Sequence, residues 1–245
     1  MATASTQSLQ LEATKGHGIH PTIRIICDEH GTLSAVLRSI GLLLSESRRR
    51  GIVPDFQVLR AMLFYIDAFP EQVHHSKETA LLFPKVRARS AEAAAVIDRL
   101  DRDHERSHQA VLGLEHDVLA LEMMSEALGA PARLLRFEDE MHAYIAAYLD
   151  HIRTEEAEIL PLAERVLTGT DWAELDAAFM QNRDPLTHRD GDDAFRPLFK
   201  RILMTLPAPL GLGPTLEALH GSYPGNQPPP FWTSTSAVDS HGKRP

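Results

Sequence analysis

Apolar residues recur at steps of three and four between about residues 22 and 168, and no alternating strand pattern interrupts them. This periodicity is typical of amphipathic α-helices. The helix breakers that divide the region are Gly51, Pro54, Ser90, Gly129 and Pro131. They separate predicted helices at about 22–49, 55–88, 91–128 and 131–168. Four long helices with short connections predict an all-α fold, an antiparallel up-down four-helix bundle.

The rest of the chain follows a different pattern. Pro70 lies inside the second predicted helix and should kink or split it, because proline lacks a backbone N–H. Ser90 is positioned to cap the third helix. Short helices are predicted at 172–180 and 192–204, and prolines crowd the end of the chain. The predicted organisation is an arm at 1–21, the bundle at 22–168, additional short helices at 169–206 and a Pro/Gly-rich tail at 207–245.

The amino-acid composition excludes several classes of function. The chain has 34 acidic and 25 basic residues, a formal net charge of −9, which argues against a nucleic-acid-binding surface. Cys27 is the single cysteine, so a disulfide framework and a cysteine-based metal site are both excluded. The start of the chain lacks a signal-peptide pattern, and the apolar run at 40–44 is too short to span a bilayer. We therefore expect a cytoplasmic protein with no membrane partner.

The chain has 13 histidines, and several stand at helical spacing from another possible metal ligand. A spacing of four places two side chains on one helical face, about 6 Å apart along the axis. Imidazole and carboxylate groups arranged in this way suit transition metals such as iron, with manganese or zinc possible on ligand type. One such pair arises often by chance as a solvated surface pair. The candidate metal ligands are His30, His74, Glu78, His104, His108, His151 and Glu155.

Counting along the helices tests whether these residues can meet. In an antiparallel bundle a site must lie at one level on all four helices, and each candidate lies about 20 residues from the relevant helix end. All seven side chains are therefore expected to share one layer, which coincidence does not predict. Five imidazoles and two carboxylates are too many for one ion, whereas two ions about 3.5–4 Å apart can share bridging carboxylates. With an oxo or hydroxo bridge, one coordination position stays open for O₂ or NO.

These residues resemble the hemerythrin-like, HHE cation-binding family over about 22–168. The motifs are His30 on the first helix, HHxxE with a following LFP on the second, HxxxH on the third, and HxxxEE with a following LP on the fourth. The resemblance implies a four-helix bundle around a non-haem di-iron centre. It assigns His30 and His74 to one iron, and Glu78 and Glu155 to the bridges. The ligands that it assigns to the other iron are His104, His108 and His151.

One departure from the oxygen-carrier hemerythrins affects the function. Their fourth helix has HxxxxD, where this chain has HxxxE at His151 and Glu155. The chain is therefore similar to the broader HHE proteins, whose roles are diverse, and simple oxygen transport is placed in doubt.

Other residues near the motifs have less defined roles. His75 points about 100° away from His74 around a regular helix, so we expect it at the surface or behind a ligand. Tyr144 and Tyr148 precede His151 by helical steps and either face the site or belong to the core. Cys27 is expected to be a small buried residue, with redox chemistry as the alternative. Glu156 is expected to be a solvated charge.

Three functions remain open from the sequence. The leading hypothesis is a non-catalytic di-iron protein that binds O₂ or a related small ligand for sensing, storage or delivery. The second is a di-iron enzyme that reduces NO or peroxide or repairs iron–sulfur clusters, with electrons from a redox partner. The third is an iron-sensing interaction protein in which the metal holds the bundle together.

Overall fold

The computed structural model describes residues 20–124, 129–182, 184–186 and 204. The predicted arm up to residue 19, the predicted helix at 192–204 apart from Met204, and the predicted tail at 207–245 lie outside these residues. The described residues contain helices and no strand, which confirms the all-α prediction. No helix in this part of the chain is both long enough and apolar enough to cross a membrane.

Four helical arms make up the bundle. The first arm is α1 (Pro21–Arg50). The second arm comprises α2 (Phe56–Ile66), π-helical segments at Asp67–His75 and Glu78–Leu82, and α3 (Phe83–Arg89). The third is α4 (Ala94–Met123), preceded by a 3₁₀ turn at Ala91–Ala93. The fourth comprises α5 (Ala130–Thr154), a π-helical segment at Glu155–Ile159 and α6 (Leu160–Val166), and α7 (Gly169–Phe179) follows it.

The breakers seen in the sequence define the helix ends. Gly51 ends α1 with φ +65°, a left-handed conformation that glycine adopts at little cost. Asp55 caps α2 by accepting hydrogen bonds from the backbone N–H groups of Gln57 and Val58. Ser90 precedes the third arm in an extended conformation, but its hydroxyl makes no capping bond, so its predicted capping role is wrong.

Pro70 does not split the second arm. It lies within the π-helical segment Asp67–His75, where the chain remains helical. A proline removes one backbone hydrogen bond, and a π-helical turn, with its i→i+5 pattern, accommodates an extra residue at such a point. The predicted break is therefore replaced by a local widening of the helix.

Neighbouring arms run antiparallel. Only five residues separate the end of α1 at Arg50 from the start of α2 at Phe56, yet the His30 and His74 side chains meet well inside both arms. Two chain segments can do this only by running back along each other. Contacts between α4 and α5, which are joined by a short connection, close the bundle in the same manner.

A polar layer separates two apolar cores. One core contains Leu33, Ile40 and Met62 and lies toward the Arg50 end of α1. The other contains Ile26 and Leu100 and is covered by α7. The candidate ligands lie between the two, because His30 falls between Ile26 and Leu33 on the same buried face of α1. Apolar packing therefore covers the polar layer toward both ends of the bundle.

Candidate metal centre

Buried histidines and glutamates form two groups in the polar layer, each with ligand atoms within 4.8 Å of one another. We call His30 and His74 the closed group, and His75, His104 and His151 the open group, after their surroundings described below. Glu78 belongs to the ligand sets of both groups. Glu155 completes the closed set. All seven side chains are buried.

The imidazole nitrogens are spaced as metal ligands are. The Nε2 atoms of His30 and His74 lie 3.1 Å apart, and those of His104 and His151 lie 3.2 Å apart. Two nitrogen ligands about 2.0–2.1 Å from one transition-metal ion, at right angles to each other, are about 3 Å apart. Each pair can therefore hold one ion.

Glu78 and Glu155 connect the two groups. Glu78 places Oε1 2.8 Å from Nε2 of His74 and Oε2 3.5 Å from Nε2 of His104. Glu155 Oε2 lies 3.6 Å from Nε2 of His30 and 3.8 Å from Nε2 of His151. Both carboxylates are fully buried, and none of their oxygens accepts a hydrogen bond of acceptable geometry. Buried carboxylates are costly without a cation, so these residues fit a bridged pair of metal ions.

In the closed group, the charges of neighbouring side chains strongly shift one another's pKa values. Burial lowers the pKa of His74, but the charges of Glu78 and Glu29 outweigh it and raise that pKa well above its usual value. Burial raises the pKa of Glu78, yet the charge of His74 outweighs it and brings the pKa to about 2. Burial and the charge of Glu78 raise the pKa of Glu155 well above its usual value. The positive charge of His74 is therefore too small to stabilise both carboxylates in their ionised form, and a bound cation would supply the missing charge.

The open group consists of neutral imidazoles. Burial, followed by the neighbouring imidazoles, lowers the pKa of His75 well below 6.5 and the pKa of His151 to about 3. Burial lowers the pKa of His104 to about 4, although the charge of Glu78 opposes this. Neutral imidazole is the form that binds metals, so His104 and His151 are ready to coordinate near neutral pH. Both ring nitrogens of His75 lie within hydrogen-bond distance of other groups, Glu71 and Tyr148.

Carboxylates orient the closed group from outside. Nδ1 of His74 lies 2.8 Å from Glu29, whose two oxygens each accept a hydrogen bond of 3.0 Å from Asn182. Nδ1 of His30 lies 3.0 Å from Glu156. Glu156 is exposed, as expected of a solvated charge, and it also contacts a candidate ligand, which was not predicted. Hydrogen bonds of this kind fix the orientation of a metal-binding histidine and raise its basicity.

Mainly neutral groups support the open group. The Thr79 hydroxyl lies 2.8 Å from Nδ1 of His104. His75 has Glu71 3.0 Å from Nδ1 and the Tyr148 hydroxyl 2.9 Å from Nε2. Burial raises the pKa of Glu71 to about 7, although the hydroxyls of Ser107 and the two tyrosines oppose this.

The structure brings six of the seven predicted residues together and leaves out His108. That side chain is 41% exposed, and its Nδ1 lies 3.7 Å from Asp67. His75, expected at the surface or behind a ligand, is instead 3% exposed and stacks on His104 at 3.8 Å between ring centres. The predicted single layer of seven is thus wrong at His108, and His75 stands there instead.

The local helix geometry explains why His75, and not His108, lies in the polar layer. His108 follows His104 by four residues on α4, and the packing of that helix places its side chain beside Asp67 and partly in solvent. His74 and His75 are adjacent at the end of a π-helical segment, and Glu78 begins the next one. Wider turns there let both neighbouring histidines face the interior. Glu155 likewise begins the π-helical segment of the fourth arm.

Sequence reasoning missed the residues that support the ligands: Glu29, Glu71, Thr79, Ser107 and Asn182. Glu29 stands directly before His30, which was a signal that could have been used. Glu71 stands four residues before His75, Ser107 three residues after His104 and Thr79 directly after Glu78, which were signals as well. Asn182 carries no spacing that relates it to the motifs. Tyr144 and Tyr148 are both buried beside the site, and Tyr148 contacts His75. Cys27, by contrast, is exposed, so its predicted burial is wrong.

The two groups differ in the space around them. Beside the closed group lies a cavity of only about 10 Å³, lined by Glu29, Phe69 and both histidines among others. That is at the lower limit for one water molecule. Beside the open group lies a cavity of about 540 Å³ between α4 and α5, and His75 and His151 line it. A ligand from solvent therefore reaches the centre from the open side.

A helical bundle that encloses paired histidine groups with shared carboxylates defines a class of metal-binding protein. The family model described as "Hemerythrin HHE cation binding domain" matches residues 22–163, more than half of the chain. The chain belongs to the Hemerythrin HHE cation binding domain family, as the sequence motifs predicted. Neither the curated proteins nor the solved structures yield a significant match.

Proposed function

We propose that the chain binds two non-haem iron ions in this centre and binds O₂ or a related small ligand, such as NO, on the open side. The observation that carries the proposal is the pair of histidine groups joined by the buried carboxylates of Glu78 and Glu155. Cation binding is the property of the family, and the imidazole-rich donor set suits iron.

Different residues of the chain would bind each of the two ions. His30 and His74 would hold one ion, and the open group would hold the other, with Glu78 and Glu155 shared. When bound, reduced iron supplies the electrons that reversible O₂ binding requires. The apolar cores on either side of the layer cover it toward both ends of the bundle. Tyr148 places its hydroxyl on the open side, 2.9 Å from Nε2 of His75.

Metal analysis of the purified full-length protein tests the first part of this proposal. About two irons per chain support it, whereas a count near zero after reconstitution contradicts it. Exposure of the anaerobically reduced protein to air tests the second part. A charge-transfer band that disappears on deoxygenation supports reversible binding, and irreversible bleaching contradicts it.

Reduction of hydrogen peroxide is a second candidate function. It is favoured by Tyr148, whose hydroxyl lies 2.9 Å from His75, because peroxide reduction to two waters consumes two electrons and two protons. The electrons would come from an external reductant. Steady-state consumption of peroxide with an artificial reductant, reduced in Tyr148→Phe, supports this candidate, and the absence of turnover contradicts it.

A further inference from the structure

The cavity beside the open group is far larger than a diatomic ligand needs. Its volume is about 540 Å³, which lies in the range of pockets that hold drug-sized organic molecules. It opens to solvent on one side, and His75 and His151 form part of its inner end. An occupant would therefore lie directly against the candidate metal centre.

Small side chains on two facing helices create the space. Ala110 and Gly113 on α4 face Ala143 and Ala147 on α5 across the cavity. A Cβ atom placed on Gly113 would meet no other atom within 4 Å. Elsewhere between these helices larger residues fill the interface, such as Val118 and Met141 in the core. The opening thus follows from where the small residues stand.

Aromatic and polar groups form the inner end. Tyr144 and Tyr148 line the cavity with their rings, which offers flat apolar surfaces to an occupant. Ser107 donates a hydrogen bond to Glu71 and lies 3.3 Å from the Tyr144 hydroxyl. Nδ1 of His151 is buried and has no hydrogen-bond partner among the residues that the structure describes. The cavity therefore combines apolar walls with a few polar groups at its end, the usual makeup of a small-molecule site.

Charges on the lining disfavour an anion. Three acidic side chains, Asp103, Asp117 and Glu140, line the cavity, and Arg106 is the one basic side chain among its described lining residues. Arg106 lies 3.9 Å from Asp103, so part of its charge is already balanced. Asp103 also lies 3.5 Å from Arg99, and Glu140 lies 3.7 Å from Arg136, so these two acidic charges are balanced as well. The charge of Asp117 remains to oppose an anion, which favours an uncharged occupant.

We propose that this cavity binds an uncharged, mainly apolar organic molecule with an aromatic ring, whose inner end lies against His75 and His151. Volume, apolar walls and lining charge each support this class of ligand. The binding site consists of this chain's own side chains, so the proposal goes beyond small-ligand binding and holds whichever metal the centre takes.

A pair of fluorescent probes tests the proposal on the full-length protein, both metal-free and metal-loaded. N-phenyl-1-naphthylamine is neutral and aromatic, and 8-anilinonaphthalene-1-sulfonate has the same rings with a negative charge. We expect saturable binding of the neutral probe at one site per chain and weaker binding of the sulfonate. Because both metal states are titrated, failure of probe binding is separated from failure of the iron proposal, which metal analysis decides.

Two matched variants locate the binding. Ala147→Phe fills the cavity and should weaken binding of the neutral probe by at least about tenfold. Ala146→Phe adds the same side chain to the neighbouring exposed position of α5, which does not line the cavity, and should change binding by less than about twofold. Circular dichroism melts show whether both variants remain folded, and Gly113→Leu offers a second way to fill the space.

Four outcomes overturn the proposal: no saturable binding, equal weakening by both phenylalanine variants, sulfonate binding as tight as neutral binding, or competition from the chain itself. The last is tested with a Phe231→Ala, Trp232→Ala double variant. If it binds the probe more tightly than the parent, the chain's own aromatic residues fill the cavity and an external ligand is rejected.

Discussion

The closed and open groups hold similar donors in different surroundings. Around the closed group, Glu29 and Glu156 contact the outer nitrogens of the histidines, and only about 10 Å³ of space remains. Around the open group, Thr79 and Tyr148 supply hydroxyls, and a cavity of about 540 Å³ reaches the imidazoles. The difference teaches that similar donors in one layer can have very different access to solvent, since one group is enclosed and the other borders a large cavity.

The largest expected effect comes from the residue that both groups share. Glu78→Ala should reduce the iron content from about two ions per chain to nearly none, because each ion loses a ligand. Elemental analysis of the reconstituted protein measures this. Glu158→Ala, an exposed change in the fourth arm, serves as the control and should retain both ions. Retention of both ions by the Glu78 variant would show that this carboxylate does not bridge the groups.

The next effect separates His75 from His108. His75→Ala should remove about one ion per chain, since the open group loses a ligand, while His108→Ala should leave the count unchanged. The same elemental analysis measures both variants. Loss of one ion in the His108 variant, with both ions retained in the His75 variant, would show that His108 is the ligand and that the open group is wrongly assigned.

A smaller effect concerns retention of the ion in the closed group. Glu29→Gln should weaken metal affinity by about 10- to 100-fold, because the acceptor for Nδ1 of His74 loses its charge. Thr79→Val, the matched change beside His104, should have a weaker effect since threonine is neutral. Competition with a chelator measures both affinities. Equal losses would mean that the two groups are supported alike.

The smallest expected effect concerns the reactivity of the Cys27 thiol, which lies outside the closed group. Partial burial and then the charges of Glu156 and Glu155 raise the pKa of this thiol to about 11. Since the thiolate is the reactive form, its alkylation rate should rise about tenfold per pH unit from pH 8 to 10. Metal binding neutralises Glu155 and should accelerate alkylation.

The unfolded protein is the control for Cys27, because this is the only cysteine in the chain. Its alkylation should have a midpoint near the ordinary thiol value of about 8.5. A similar midpoint in the folded, metal-free protein would show that the carboxylates of the closed group do not act on Cys27.

Much of the centre was predictable because helix spacing is a local property. His104 and the His151–Glu155 pair each occupy the layer that counting from the helix ends predicted. The HxxxH spacing misled at His108, because a shared helical face does not determine which of its residues the neighbouring helices cover. The partner residue Asn182 could not be predicted, since it reaches the site through packing of a distant segment.

The amino-acid sequence alone determined the four helical arms, their breaks and most of the ligand set, because apolar periodicity and ligand spacing are written along each helix. Tertiary structure decided which neighbour of His74 faces inward, through π-helical turns that no spacing rule counts. It also made one group closed and the other open. That asymmetry depends on which side chains meet between packed helices: carboxylates beside His30 and His74, small residues such as Gly113 and Ala147 beside His151.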